Sequence, residues 1–261
     1  MKIVYLGDIV AKSGREAVLS ALQELRQRFR FDVLIANVDN AAHGFGCTGK
    51  IAQTLLDAGV DALVTGDHVF DQKDIFPLLN TSRRIVRPLN YPATLAGKGA
   101  QLMSTDSGKK FLVSEVVGRV FMSEVANPLT ALDELLQNYR LQHEVDAIFI
   151  DIHAEASAEK QALAHYFDGR VSAVIGSHTH VPTIDAVILP KGTAYQTDAG
   201  MCGCYQGVIG FECAAPIDRL KDKDARTRLE PLTAKATVCG TFIETDDATG
   251  LAVNISPFRI D

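Results

Sequence analysis

The stretch "LVTGDHVFD" (Leu63–Asp71) joins an apolar run to a carboxylate and an imidazole. The overlapping run "VDALVTG" is short, rich in β-forming residues and ends in Gly, so it predicts a strand followed by a turn. Asp67 and His68 come directly after that turn. Two interpretations compete for them: a site that binds a metal and moves a proton, or a polar loop in which Asp71 caps the next helix.

Two similar runs precede this one, "KIVYLG" at residues 2–7 and "FDVLIAN" at residues 31–37. Between them, segment 15–28 carries apolar residues at helical spacing, and segment 51–58 does the same between the second and third runs. The order β-α-β-α-β predicts parallel strands joined by crossover helices.

The pattern changes in the second half of the chain. "AQLMST-DSGKK-FLVSEVV" predicts an antiparallel hairpin, and "ATVCGTFIET-DDATG-LAVNIS" predicts another near the C-terminus. Between the hairpins, helical segments 129–139 and 158–166 alternate with the strands "VDAIFID" and "VSAVIG". We therefore predict an α/β fold of two mixed sheets packed face to face with helices outside, and a solvated surface at the charge-rich stretch 218–228.

Composition narrows the class of protein. The 261 residues are 47% apolar and 22% charged, with a formal net charge of −6. These values favour a soluble protein in which residues 1–261 form one domain, with room for a small inserted cap. No window approaches the roughly 20 apolar residues of a membrane span, and the negative charge disfavours an extended nucleic-acid surface. Five scattered cysteines argue against a disulfide framework and favour a cytoplasmic location, whereas the oligomeric state, a homo-oligomer included, stays open.

Polar side chains follow five of the predicted strands. They are Asp8, Asp39 with Asn40, Asp67 with His68, Asp151 with His153, and His178 with His180. Ligands of open α/β sheets bind beyond the carboxyl ends of the strands, so residues far apart in the chain can meet there. One such residue alone would be read as a cap, a turn former or a core histidine, but recurrence at five strand ends predicts a shared site.

The residue types indicate a metal site. Seven side chains offer oxygen or nitrogen donors: Asp8, Asp39, Asn40, Asp67, His153, His178 and His180. A mixed His and carboxylate set suits transition metals, and seven donors are too many for one tetrahedral ion but about right for two ions. In "GSHTHVPT" the two imidazoles stand at i and i+2, on one side of a segment expected to be extended. Paired ions catalyse phosphoryl displacement, so we predict attack by a metal-bridging hydroxide, with His68 free to protonate the leaving alkoxide as the general acid.

Five blocks carry a family resemblance: "GDIV", "DNAAHGFG", "GDHVFD", "DIHAEA" and "GSHTHVPT". In order and spacing they resemble the signature blocks of the calcineurin-like metallophosphoesterases, and more narrowly those of the bacterial YmdB-like group of di-iron phosphodiesterases. The likeness covers nearly the whole chain. It implies a four-layer αββα sandwich and a phosphodiesterase of small or cyclic phosphodiesters, with 2′,3′-cyclic nucleotides the substrate usually associated with the group.

The resemblance also implies individual roles. Asp8 and His180, completed by Asn40, would hold a first metal, and Asp39 would bridge the two ions. The second metal would be held by Asp67, His153 and His178. His68 would be the proton donor. The two divalent or trivalent transition-metal ions would be iron, with manganese as the alternative.

Two residues depart from the group's pattern. The group usually has Glu-Asn where this chain has Asp39-Asn40, and Gly-Asn-His where it has Gly66-Asp67-His68. A bridging aspartate is common in the wider superfamily. A carboxylate at position 67 adds a negative charge, which should tighten cation binding and weaken the metals as Lewis acids.

Other residues could assist the site. His43 and Arg119 are candidate substrate contacts, and Glu155 and Asp198 are candidates for orienting imidazoles. Two other functions stay open: a weakly active, metal-binding regulatory protein, and a phosphomonoesterase or nuclease of the same fold.

Overall fold

The computed structural model describes residues 1–261, the whole chain. It contains six helices: α1 (Ala11–Phe29), α2 (Gly49–Asp57), α3 (Phe76–Thr81), α4 (Pro128–Leu136), α5 (Ser157–Tyr166) and α6 (Ala214–Lys221). Its fourteen strands are β1 (Lys2–Leu6), β2 (Asp8–Ile9), β3 (Val33–Asn37), β4 (Ala62–Val64), β5 (Ile85–Val86), β6 (Ala100–Ser104), β7 (Lys110–Val117), β8 (Ala147–His153), β9 (Ala173–Ser177), β10 (Val187–Ile188), β11 (Ala194–Gln196), β12 (Met201–Gly203), β13 (Thr237–Thr245) and β14 (Ala252–Ile260).

The strands form two mixed sheets. The first has the order β2-β12-β13-β1-β3-β4-β5, with β14 also paired to β13. Its strands β1, β3, β4 and β5 are parallel, while β13 runs antiparallel to β1 and β14. The second has the order β10-β11-β9-β8-β7-β6, in which β7, β8, β9 and β11 are parallel. The two predicted hairpins are β6–β7 and β13–β14, and both are antiparallel as expected.

Alternating side chains divide the molecule into four layers. On β1, Ile3 and Tyr5 belong to an apolar cluster shared by both sheets, whereas Val4 and Leu6 belong to a cluster shared with α1 and α2. A third cluster packs the far face of the second sheet against α4 and α5. Successive strand residues point to opposite faces, so each sheet buries one face against helices and the other against its partner sheet. The predicted α/β sandwich is confirmed.

Element boundaries differ from the prediction where no periodic apolar residue marks them. Helix α1 begins at Ala11, four residues before the predicted start, and α4 ends at Leu136 rather than at residue 139. The sequence patterns did not indicate the short strands β10 to β12. The charge-rich stretch is exposed at its helix α6 and in the loop after it. None of the helices has the length and apolar character that a membrane crossing requires, and all five cysteines are free.

Candidate metal centre

The predicted donors meet at one edge shared by both sheets. Asp8 begins β2, directly after β1; Asp39 and Asn40 follow β3; and Asp67 follows β4. His153 is the last residue of β8, and His178 and His180 follow β9. All of them lie at or just beyond the carboxyl ends of strands, so parallel strands of the two sheets deliver them to one place.

Two glycines allow the chains to approach closely there. A Cβ on Gly7 would overlap the backbone oxygen of Gly200, beside the strand residue Asp8. Gly66 has a φ of +60°, and a Cβ on it would overlap the carboxylate of Asp39. Only glycine lacks this atom, so each glycine lets an adjacent carboxylate enter the cluster.

Each of the three histidines directs one ring nitrogen inward and has its other ring nitrogen held. Nδ1 of His153 is 2.9 Å from Ser177 Oγ, which itself donates to Asp151 Oδ1 at 2.7 Å. The Ser177 oxygen therefore accepts from the His153 Nδ1–H, so Nε2 is the nitrogen that faces the cluster. His180 donates its Nδ1–H to the backbone oxygen of Ile209 at 2.8 Å. Histidine ligands in metal sites are held in this way.

The third histidine, His178, has Nε2 3.3 Å from Glu155 and Nδ1 3.2 Å from Nε2 of His153. Glu155 thus takes the orienting position predicted for it. The spacing of His178 and His180 predicted an extended backbone. Neither residue is extended, because their φ values are +91° and +66°. The expectation of two imidazoles on one side of a strand was wrong, because β9 ends at Ser177 and the chain turns at once.

The inward atoms are within a few ångströms of one another. His153 Nε2 is 3.0 Å from Asp67 Oδ1 and 3.5 Å from Asp39 Oδ2, while His180 Nε2 is 2.9 Å from Asn40 Oδ1. Ligand atoms of Asp67, His153 and His178 all lie within 4.8 Å of each other, and those of Asp8, Asp39 and His153 do likewise. The first group contains the three residues predicted for the second metal. The second group contains Asp8, predicted for the first metal, and Asp39, predicted to bridge, together with His153.

Burial and charge shift the pKa values in this cluster. Burial raises the pKa of Asp8 to about 6, although His180 and His153 act to lower it. Burial would lower the pKa of His153, but Asp39, Asp67 and Asp8 outweigh it and the pKa is raised well above its usual value. Burial and the neighbouring His153 lower the pKa of His178 to about 4. His153 and Asp8 therefore keep their protons to higher pH than usual, and a cation would compete with those protons.

The donor set fits a metal. Asp8 Oδ1 is fully buried and has no hydrogen-bond partner, although a buried carboxylate oxygen without a partner costs free energy. The inward ring nitrogens of the three histidines lie next to Asp8, Asp39 and Asp67, which is the mixed nitrogen and oxygen chemistry that transition metals bind.

His68 lies at the rim of the cluster. Its backbone N–H donates to Asp39 Oδ1 at 2.8 Å, and its Nδ1 is 2.8 Å from Asp71 Oδ2. Burial would lower the pKa of His68, but Asp39, Asp67 and Asp71 together raise it. The interpretation of Asp71 as a helix cap was wrong. The following 3-10 turn begins at Lys73, and Gln72 precedes it without a side-chain cap.

A buried ion pair stabilises the turn that carries His178 and His180. Lys160 Nζ donates to the Ser177 backbone oxygen at 2.6 Å and to Asp198 Oδ2 at 2.9 Å. The same carboxylate oxygen accepts from the backbone N–H and the hydroxyl of Thr179. Asp198 was predicted to orient an imidazole, but it contacts the residue between the two histidines instead. Sequence patterns did not indicate Lys160, because a lysine on an amphipathic helix is usually exposed.

A cavity of about 310 Å³ opens onto these residues. Its lining consists of Asp39, Asn40, Gly44, Phe45, His68, Glu155, His178, Thr179, His180, Ile209, Phe211 and Leu229. The two candidate substrate contacts, His43 and Arg119, have exposed side chains and are not part of this lining. The aromatic residues Phe45 and Phe211 are part of it, and sequence patterns did not indicate them because they lie far apart in the chain.

Comparison with known proteins gives matches over the full length. A family model described as "YmdB-like protein" matches residues 4–258. The chain is 40% identical over 261 residues to the "2′,3′-cyclic-nucleotide 2′-phosphodiesterase" of Bacillus subtilis, with 100% of this chain and 97% of that protein covered. The crystal structure of a hypothetical protein from Thermus thermophilus matches with a TM-score of 0.92 and 40% identity, covering 100% and 99% of the two chains. The structure of a novel phosphatase of Mycoplasma pneumoniae matches with a TM-score of 0.91 and 32% identity, covering 100% and 93%.

Proposed function

Because the chain belongs to the YmdB-like family, we propose that it is a metal-dependent phosphodiesterase that hydrolyses 2′,3′-cyclic nucleotides. The observation that carries this proposal is the convergence of three carboxylates and three oriented imidazoles at one strand-end cluster, beside a cavity. The relative from Bacillus subtilis supports the substrate class, since its name specifies 2′,3′-cyclic nucleotides.

The donor set would hold two transition-metal ions, iron or manganese. Asp8, Asn40 and His180 would bind the first ion, Asp67, His153 and His178 the second, and Asp39 both. When bound, such ions supply Lewis acidity toward the phosphoryl group and lower the pKa of water. The remaining work falls to the chain's own residues.

His68 is the proton donor in this proposal. With Nδ1 held by Asp71, its Nε2 is the nitrogen left to face the cavity. The neighbouring carboxylates raise its pKa, so the ring keeps its proton to higher pH than a free histidine and can deliver it to a leaving alkoxide.

The charge of the cavity favours a diester over a monoester. No lysine or arginine lines it, whereas Asp39 and Glu155 do. A diester carries one negative charge and a monoester close to two, and the cavity has no arginine or lysine to bind the second charge in addition to the proposed metal ions. We therefore place phosphomonoesterase activity second.

The experiment is a substrate panel with protein loaded with Mn²⁺ or Fe²⁺: adenosine 2′,3′-cyclic phosphate, bis(p-nitrophenyl) phosphate and p-nitrophenyl phosphate. We expect turnover of both diesters, a much lower rate on the monoester, and a loss of ~10²- to 10⁴-fold on the cyclic nucleotide in His68→Ala. Turnover confined to the monoester would contradict the proposal. No turnover at all, with His68→Ala identical to the wild type, would favour a metal-binding regulatory protein.

A further inference from the structure

An apolar wall adjoins the proposed proton donor. Phe45, Ile209, Phe211 and Leu229 line the cavity beside the donor cluster. The rings of Phe45 and Phe211 have centroids 5.9 Å apart, and Phe45 meets the His68 ring edge to face at 5.1 Å. A metal cluster and a proton donor do not need such a surface, so it calls for a separate explanation.

The wall is preformed. Gln72 Nε2 donates to the backbone oxygen of Phe45 at 2.8 Å. Phe211 is only 4% exposed and packs against Gly44, at 2.6 Å from where a Cβ would lie. Gly44 has a φ of +91°, so this turn favours glycine twice over, by its backbone conformation and by the closeness of the ring. The wall is thus held in place by contacts within the chain.

The wall is also joined to the donor cluster. The Ile209 backbone oxygen accepts from the Nδ1–H of His180, while its side chain remains 46% exposed. An apolar side chain exposed in a cavity next to charged ligands is a favourable contact for an apolar part of a substrate.

We propose that this wall binds the base of the nucleotide, with the base stacked on Phe45; this inference rests on the proposed function. A base presents a flat aromatic face, and stacking on an aromatic side chain tolerates any base. Since Phe45 contacts His68, the ester oxygen nearest the base is the one that His68 can protonate.

The name of the relative from Bacillus subtilis specifies hydrolysis of the 2′ ester, and a base on Phe45 would place that bond beside His68. In a 2′,3′-cyclic nucleotide, C2′ adjoins the carbon that carries the base, so O2′ is the nearer ester oxygen. The oxygen of water bonds to phosphorus, the bond from phosphorus to O2′ breaks, and its electron pair remains on O2′, which takes the proton from His68 Nε2. The displaced water proton goes to solvent, from which His68 is protonated again. The product is the nucleoside 3′-phosphate.

The test compares two substrates that differ only in the base: adenosine 2′,3′-cyclic phosphate and methyl riboside 2,3-cyclic phosphate. In Phe45→Leu, which keeps apolar volume but loses the flat ring, we expect the KM for the adenosine substrate to rise about tenfold, within the range for one stacked base. The KM for the base-free substrate should not change. Phe29→Leu is the matched control, because Phe29 packs against the rings of Phe242 and Phe258, outside the cavity.

A binding measurement makes the test independent of turnover. Calorimetry with adenosine 3′-phosphate should show about tenfold weaker binding to Phe45→Leu, with no change for methyl riboside 3-phosphate. Equal effects on both ligands, or none on either, would overturn the inference even if the wild type hydrolyses both diesters. A 2′-phosphate as main product would overturn it as well. If the wild type hydrolyses neither diester, the proposed function fails, and the calorimetry still decides whether Phe45 binds the base.

Discussion

Asp67 is the residue in which this chain departs most from the expected pattern of its family. Its Oδ1 lies 3.0 Å from His153 Nε2. Burial would raise its pKa, but the hydrogen bond and charge of His153 prevail and hold the pKa well below its usual range. The carboxylate is therefore charged, and the cluster carries one more negative charge than an asparagine there would allow.

Asp67→Asn should weaken Mn²⁺ binding and raise turnover at saturating metal. The amide keeps an oxygen donor but removes the charge, so we expect affinity to fall by roughly tenfold or more. Less negative charge on the ligands leaves the metal a stronger Lewis acid. Chelator competition measures the first effect and kcat the second, with the exposed Asp74→Asn as control. If Asp67→Asn changes neither affinity nor kcat, the charge argument is wrong.

Asp71 was interpreted as a helix cap, whereas the structure joins it to His68 at 2.8 Å. Asp71→Ala removes the group that orients the ring, and we expect kcat on adenosine 2′,3′-cyclic phosphate to fall about tenfold, less than in His68→Ala. Bis(p-nitrophenyl) phosphate has a leaving group that needs no proton, so its kcat should change less than about twofold. Asp71→Asn, which can still accept from Nδ1–H, should restore part of the loss. Equal losses on both substrates would show that Asp71 acts on something other than proton donation.

At the scale of secondary structure, the turn after β9 has a constrained backbone conformation. Two non-glycine residues with left-handed φ values, His178 and His180, stand on either side of Thr179. Such conformations persist only when neighbouring groups hold them. Asp198 accepts hydrogen bonds from the backbone N–H and the hydroxyl of Thr179, and Lys160 donates to the backbone oxygen of Ser177. The buried ion pair therefore stabilises this turn.

Asp198→Asn should therefore be strongly destabilising. Both side chains of the pair are 0% exposed, and removing one partner leaves a buried charge uncompensated, which typically costs ~3–5 kcal/mol. We expect a loss of that size in the free energy of unfolding in urea, together with weaker Mn²⁺ binding because the histidine turn loosens.

The double variant Lys160→Met/Asp198→Asn separates charge from hydrogen bonding. It removes the unpaired charge, so part of the stability should return, while the weaker Mn²⁺ binding should remain. Glu144→Gln breaks an exposed ion pair with Arg140 and should leave both quantities unchanged. A stable Asp198→Asn protein with normal metal binding would show that the ion pair does not support the turn.

For the molecule as a whole, periodicity predicted the layers and the strand ends predicted the site. Parallel strands must deliver their carboxyl ends to one edge, so Asp8 and His180 could be brought together without knowledge of a structure. Contacts that depend on tertiary packing could not be predicted from the sequence. No sequence pattern indicates that the backbone oxygen of Ile209 accepts a hydrogen bond from His180. The sequence around Lys160 also does not distinguish this buried lysine from an exposed lysine on a helix.

The same architecture predicts that metal stabilises the whole fold. The donors come from both sheets, and without a cation the carboxylates of Asp8 and Asp39 are buried near each other with Asp8 Oδ1 unpaired. A cation that binds only the folded chain adds ~2.7 kcal/mol at a free concentration about one hundred times Kd. For a chain of this size, that corresponds to a rise in Tm of roughly 5–10 °C.

Calorimetry in EDTA and in increasing Mn²⁺ measures this rise. His178→Ala should remove most of it, because Nδ1 of His178 points into the cluster. His165→Ala is the matched control, since His165 is exposed on α5 and should keep the full shift. A rise in Tm of equal size in both variants would place the stabilising cation elsewhere on the protein. A rise lost only in His178→Ala would tie global stability to the strand-end cluster, because His165 lies outside that cluster.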